Sequence, residues 1–253
     1  MSKMFDSLKW AEGRRRKSVS RPPEPAPQPK REAAVEPRVV DTTGLPDEFI
    51  NELGALRNSL EGVFTREKRS ILFASAASGE GTTTIAANFA WFLSMQGMGR
   101  VLLCEMNARR PAFTSLFAIN GNVGTTDYFA SPHDLMSLVQ RPHGGGMGVV
   151  HAGGRDPTVI QLRLKQVMPR LVAEALQHYD TVIIDAPPVI SCPETPAMTG
   201  FVDGVVLVVQ AERTRREVVL RSMESIANFQ GNVLGVVLNR KKYYIPEFLY
   251  RRI

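Results

Sequence analysis

The chain has 253 residues, 43% hydrophobic and 22% charged, which is enough apolar content for one full-sized α/β core plus a tail. Its formal charge of +6 sits almost wholly in residues 1–38, where ten Lys/Arg face five Asp/Glu, so the rest of the chain is close to neutral and does not read as a nucleic-acid binder. The cysteines and histidines show no metal spacing, no run reaches the roughly 18–20 apolar residues of a membrane span, and the start of the chain lacks a hydrophobic signal segment, which points to the cytoplasm.

Residues 1–12 can form a short amphipathic helix, with Met4, Phe5, Leu8 and Ala11 near one face and Trp10 alongside. Arg14, Arg15, Arg16 and Lys17 follow. An apolar face beside a basic cluster suits anionic lipid at the inner face of the plasma membrane, where each cation contributes about 1 kcal/mol. A solvated tail and a docking peptide for a partner protein are the other readings of residues 1–17. Residues 18–44 hold Pro22, Pro23, Pro25, Pro27, Pro29 and Pro37 among charged residues, so they are expected to be a disordered linker. The folded domain is expected over residues 45–240, followed by a tail over residues 241–253.

Asp47 to Phe64 reads as a helix, with Phe49, Ile50, Leu53, Leu56, Leu60 and Val63 at helical spacing. Ile71 to Ala74 is an apolar strand. The loop Ser75 to Gly81 and an apolar helix from Thr82 to about Gln96 come next, with Gly97 as its stop. Strand, glycine loop and helix in that order form a phosphate cradle, because glycines let backbone N–H groups turn toward an anion and the helix N-terminus adds partial positive charge. In the usual GxxxxGK[ST] form, the first Gly position here is Ala76, the second is Gly81, and the Lys position is Thr82. Thr83 keeps the hydroxyl that would ligate Mg²⁺, while Thr82, Thr83 and Thr84 could also serve simply as a helix start.

Val101 to Cys104 is the next strand, and it runs into Glu105, Asn107, Arg109 and Arg110 before Pro111. Polar residues at the carboxyl end of a parallel strand are where α/β proteins place ligands. Short helices are expected near residues 111–117 and 134–139, a weak strand over Met147 to His151, and a long helix over Thr158 to His178 that Pro169 could kink. Thr181 to Ile184 is a buried strand that ends in Asp185, the Walker B arrangement for Mg²⁺ when it stands beside a phosphate loop. Strands at Gly204 to Val209 and Val233 to Leu238 flank a helix over Arg215 to Asn228. Alternating strands and helices predict a mostly parallel sheet covered on both faces, of the P-loop NTPase type.

The run Ser75 to Thr84, the segment Arg109-Arg110-Pro111, the stretch from Tyr179-Asp180 through Asp185-Ala186-Pro187-Pro188, and the tyrosine-bearing tail resemble the bacterial tyrosine autokinases. These are cytoplasmic kinase modules that work with membrane polysaccharide co-polymerases, the chain-length determinant proteins of capsule and exopolysaccharide export. The resemblance covers roughly residues 45–253, and the Met-Phe-Asp-Ser-Leu-Lys stretch at residues 4–9 is also similar to soluble members of that family. It implies ATP and Mg²⁺ as cofactors, self-association, and a location peripheral to the inner face of the plasma membrane. By the same resemblance, Ser78, Gly79, Glu80, Gly81, Thr82, Thr83 and Thr84 form the nucleotide loop, with Thr83 and Asp185 on the metal. Glu105 and Asn107 fall where the family has two aspartates, Asn239 and Arg240 where relatives contact the base, and Tyr243, Tyr244 and Tyr250 in the phosphoacceptor region.

The departures fall on catalysis. Thr82 cannot supply the charge of the lysine that holds the β- and γ-phosphates, and loss of one such donor typically lowers a rate about 10²–10³-fold. Asn107 loses a charge and a base for tyrosine. In the first helix the family carries a Glu and two Arg spaced by three that build a ring; here the positions read Asn51, Gly54 and Arg57. The expected protein is therefore a kinase-like regulator of polysaccharide synthesis and export, acting by contact and impaired in chemistry. An active autokinase in which Arg109, Arg110 or a neighbour's Arg replaces the lysine is the alternative, and a Min/Par-type positioning ATPase is a further one. In the mechanism, backbone N–H groups of residues 78–83 would cradle phosphates and Glu105 would orient a water or a hydroxyl.

Overall fold

The structure, a computed structural model, describes residues 45–63, 68–131, 133–142 and 146–241. The expectations for residues 1–17, for the linker and for Tyr243, Tyr244 and Tyr250 lie outside the described residues. In chain order the elements are α1 (Asp47–Glu61), β1 (Arg69–Ser75), α2 (Thr82–Met95), β2 (Val101–Glu105), α3 (Phe113–Leu116), α4 (Thr125–Ala130) and α5 (Leu135–Leu138). They continue with β3 (Met147–Val150), α6 (Thr158–His178), β4 (Thr181–Asp185), α7 (Glu194–Thr199), β5 (Gly204–Gln210), α8 (Arg216–Asn228) and β6 (Val233–Asn239).

The strands form one sheet in the order β3-β2-β4-β1-β5-β6, and every pairing between them is parallel. A parallel sheet needs cover on both faces, which is why the strands read as unbroken apolar runs. Alternate residues of β1 to β5 feed two separate cores. Leu72, Leu102, Val182, Ile184, Val205 and Leu207 pack against Leu164, Met168 and Leu171 of α6 and Ile226 of α8. Ile71, Phe73, Leu103, Ile183 and Val206 pack against Ile85, Phe89 and Leu93 of α2 and Leu53 and Leu60 of α1. The rings of Phe73 and Phe89 lie 5.7 Å apart and are tilted by 47°, so β1 and α2 are fixed against each other directly below the glycine loop.

β1 and β4 are neighbours at the centre of the sheet. The chain leaves β1 toward β2 on one side and leaves β4 toward β5 on the other. Such a reversal opens a crevice at the carboxyl ends of the strands. The loop after β1, the end of β2 and Asp185 at the end of β4 meet there, with Asp185 in register with Phe73 on one side and Glu105 on the other.

Two short helices, α4 and α7, were not expected from the sequence. Each has only six residues, too few for a helical period to stand out. Their positions come from tertiary contacts: Thr125 and Thr126 bond to main-chain carbonyls of Glu105 and Ala152, and Thr195 bonds to Pro187. Helix α6 runs on through Pro169, which sits on its exposed side.

Candidate functional site

The glycine loop takes the shape its composition predicts. Gly79 and Gly81 adopt left-handed φ values of 84° and 93°. Gly81 also lets Asn239 approach the loop closely: a Cβ there would stand 2.2 Å from Asn239 Nδ2, so that side chain would have to shift. The amide of Asn239, at the end of β6, donates to the carbonyl of Glu80 at 2.7 Å. Asn239 thus braces the loop from the far side of the sheet. Helix α2 begins at Thr82, so its unpaired N–H groups and dipole face the loop.

The side chains of the loop divide by role. Thr83 Oγ1 donates to Asp185 Oδ2 at 2.8 Å, joining the two residues expected to share a metal. Asp185 Oδ1 is buried and makes no hydrogen bond, a condition that costs about 1–3 kcal/mol. A hydroxyl and a carboxylate with one spare oxygen, beside a phosphate cradle, is a donor set that fits a hard, oxygen-seeking cation such as Mg²⁺. Burial is the main reason the Asp185 carboxyl is pushed up to about 8; the nearby Glu105 adds to the shift and the Thr83 hydroxyl opposes it. Thr82, at the lysine position, is buried, and its hydroxyl makes no hydrogen bond. Thr84 is exposed, and its carbonyl accepts from Asn88 Nδ2 at 2.7 Å.

The two adjacent arginines separate. Arg109 Nε lies 3.0 Å from Glu194 Oε1 at the start of α7, and Arg109 is thereby committed to a buried carboxylate. Glu194 also makes the Arg109 guanidinium a weaker acid than usual. Arg110 turns the other way, and its Nη1 donates to Ser78 Oγ in the glycine loop at 3.0 Å. Of the two expected charge-compensating residues, Arg110 is the one placed on the loop.

Glu105 has a structural duty that its place in the sequence did not suggest. It is fully buried. Oε1 accepts from the backbone N–H of Ala112 and of Phe113, and Oε2 accepts from the N–H of Ala152 at 2.9 Å. The carboxylate therefore caps α3 and ties down the loop after β3, so both oxygens are engaged by main-chain donors. Burial raises its pKa, and these three N–H groups oppose the rise. Asn107 is half-buried, and its carbonyl accepts from the Arg110 N–H at 3.1 Å. At the rim, Arg240 Nη1 and Arg213 Nη1 both reach Gln210 Oε1, at 3.3 and 3.5 Å. In α1, Arg57 bonds to Asn58 and pairs with Glu61 on its own helix, and Asn51 is exposed.

Residues that local pattern does not reveal are Glu194, Gln210 and Thr214, whose roles come from contacts with residues distant in sequence. The only local signal for Glu194 was its place after Pro193, a common start for a helical turn.

No family model matches the chain. Individual proteins do. Tyrosine-protein kinase YwqD of Bacillus subtilis (strain 168) is 30% identical over 177 residues, covering 70% of this chain and 74% of that protein. Tyrosine-protein kinase CpsD of Streptococcus agalactiae is 25% identical over 195 residues, covering 77% of this chain and 83% of that protein. Among solved structures, the chimerical protein CapA2B2 superposes with a TM-score of 0.72 at 25% identity, covering 80% of this chain and 88% of that one.

Proposed function

This chain belongs to the bacterial tyrosine-protein kinases, and from that premise we propose that it is a nucleotide-binding regulator of polysaccharide synthesis and export with impaired phosphotransfer. The observation that carries the reading is the Thr83–Asp185 pair with its spare buried oxygen, set beside a glycine loop on which Arg110 rests. The metal ligands and the cradle are kept. The groups that would do chemistry are depleted: the lysine position holds Thr82, Asn107 is neutral, and Glu105 is consumed by main-chain bonds. In this reading the protein switches with nucleotide and acts by contact on a membrane polysaccharide co-polymerase. Among the described residues no helix is long and apolar enough to cross a membrane. Association with the inner face of the plasma membrane would therefore run through that partner or through residues 1–17.

Thr83 and Asp185 would hold Mg²⁺, which when bound offsets the charge of the nucleotide phosphates. Backbone N–H groups of residues 78–83 would hold the phosphates themselves, since both loop glycines already adopt the required left-handed turn. Arg110, released from Ser78, would supply a cation at the loop. Its fork of donors matches phosphate geometry better than a hydroxyl can.

Isothermal titration of the purified chain with Mg-ATP tests the reading. Wild type is expected to bind in the micromolar range. Arg110→Ala should weaken binding about tenfold, on the order of 1.4 kcal/mol, and Thr82→Lys should strengthen it. Absence of heat for wild type and Thr82→Lys alike would remove the nucleotide site. The alternative, an active autokinase, is favoured by the same Arg110 placement. Phosphate found by mass spectrometry on Tyr243, Tyr244 or Tyr250 after incubation with Mg-ATP would establish it in place of the impaired form.

A further inference from the structure

Glu80 lies within the glycine loop, yet its side chain turns under the loop. The residue is buried, 2% exposed. Oε2 accepts from the N–H of Ala77, at the start of the same loop, at 2.7 Å. Oε1 accepts from the N–H of Gln210 at 3.2 Å and from the hydroxyl of Thr214. The carbonyl of the same residue accepts from Asn239 Nδ2. One residue thus gathers the ends of β1, β5 and β6. Gln210 carries the connection outward, because its Oε1 receives both Arg213 and Arg240.

A loop whose N–H groups must converge on an anion is disfavoured in isolation, since those dipoles repel and holding two glycines in left-handed backbone costs conformational entropy. Something behind the loop has to hold it in shape before the anion arrives, and preorganisation of this kind converts directly into affinity. Glu80 is the only side chain of residues 78–82 for which the structure gives hydrogen bonds reaching the β5–α8 turn. We infer that Glu80 is a positioning residue: it presets the glycine loop for a nucleotide polyphosphate and couples loop occupancy to the Gln210–Thr214 turn and to the two arginines, Arg213 and Arg240, that reach Gln210. The inference rests on the nucleotide reading above but makes a separate claim about this carboxylate.

The test uses the full chain. Thr214→Val removes a hydroxyl that bonds to Glu80 and lies outside the glycine loop; Thr214→Ser keeps it. Mg-ATP and Mg-ADP affinities are titrated for Thr214→Val, Thr214→Ser, Glu80→Gln and the Glu80→Gln/Thr214→Val double variant, each in wild type and in the Thr82→Lys background. Expected is a loss of about tenfold for Thr214→Val, equal for the two nucleotides, with recovery in Thr214→Ser. The double variant should fall no further than Glu80→Gln alone. Additive losses, or wild-type affinity in Thr214→Val, would overturn the coupling. Amide hydrogen exchange on the nucleotide-free protein gives an independent reading. Thr214→Val should accelerate exchange at Gly79, Glu80 and Gly81, with Thr214→Ser like wild type, whether or not nucleotide binds in any background. Unchanged exchange there sinks the proposal even where titration succeeds. Accelerated exchange with no titration heat keeps Glu80 as the brace of the loop but overturns its coupling to nucleotide, together with the nucleotide reading.

Discussion

Replacing Asp185 by Asn is expected to abolish Mg²⁺-dependent nucleotide binding and, in the same variant, to make the metal-free protein more stable at alkaline pH. The first effect follows from the proposed role of Asp185 as a direct metal ligand. Even partners one shell out from a metal are worth up to about 100-fold in affinity, so the loss should be at least of that order. Titration with Mg-ATP and with ATP in chelator would show it as a collapse of the difference between the two. An undiminished difference would take Asp185 out of the site. The second effect follows from burial. The Asp185 carboxyl ordinarily ionises at 3.8 and is pushed up to about 8 in the folded state. Between those values the unfolded chain has lost the proton and the folded chain keeps it, so unfolding releases a proton and stability falls as pH rises. Below the lower value both states are protonated, and above the upper one the full penalty is in place. Asn mimics the protonated form at every pH and can still accept from Thr83. Thermal melts with chelator present should show the wild-type midpoint falling from about pH 5 to about pH 8.5. The Asp185→Asn variant should stay flatter across that window and melt about 5 °C higher at its upper end. A site that stores this much unfavourable burial in one carboxylate fits a function that needs the carboxylate more than stability does.

Glu105→Ala should be the most destabilising polar substitution in the crevice. It strands the N–H groups of Phe113 and Ala152 in a buried setting and that of Ala112 in a partly buried one. Each unsatisfied buried donor costs about 1–3 kcal/mol. With partial relief by water, the sum is about 4 kcal/mol, a large share of the roughly 5–15 kcal/mol that a domain has in hand. A melting temperature lower by about 10 °C is expected. Glu105→Gln should lose less, because it keeps the shape and one acceptor while turning a donor toward a donor at the other oxygen. Circular dichroism melts of the three proteins decide the matter. If Glu105→Ala melts with wild type while only chemistry changes, the carboxylate belongs to the reaction and not to the scaffold. The two substitutions also separate neighbours on adjacent strands. Asp185 and Glu105 stand in register on β4 and β2, yet the fold spends Glu105 on main-chain donors and leaves Asp185 with a free oxygen.

Much of the frame is legible in the residues themselves. Ile71 to Ala74 and Thr181 to Ile184 are apolar at nearly every position, as a strand buried on both faces needs. The fold accordingly divides their alternate residues between two cores. Gly79 and Gly81 mark a glycine loop, and both adopt left-handed backbone there; Thr83 and Asp185, expected from the sequence to share a metal, stand within hydrogen-bond distance of each other. These signals are local: they depend on residues two to four apart, or on a residue directly after a strand.

What the sequence could not assign were contacts made across the chain. Glu80 and Thr214 are 134 residues apart, and Glu105 and Ala152 are 47 apart. Whether a carboxylate accepts from main-chain N–H groups, pairs with an arginine or keeps an oxygen for a ligand depends on which donors the sheet order brings to it, and no periodicity encodes that. Arg109 and Arg110 make the point most sharply. They are identical side chains one residue apart, and the chain turns one to Glu194 and the other to Ser78. The amino-acid sequence by itself determined the parallel sheet, the cradle and the candidate metal pair, because backbone conformation and burial follow from residue type and spacing. Tertiary structure alone decided which charge serves the loop and which serves the scaffold, because electrostatics and hydrogen bonding act over a few ångströms in space and take no account of distance along the chain.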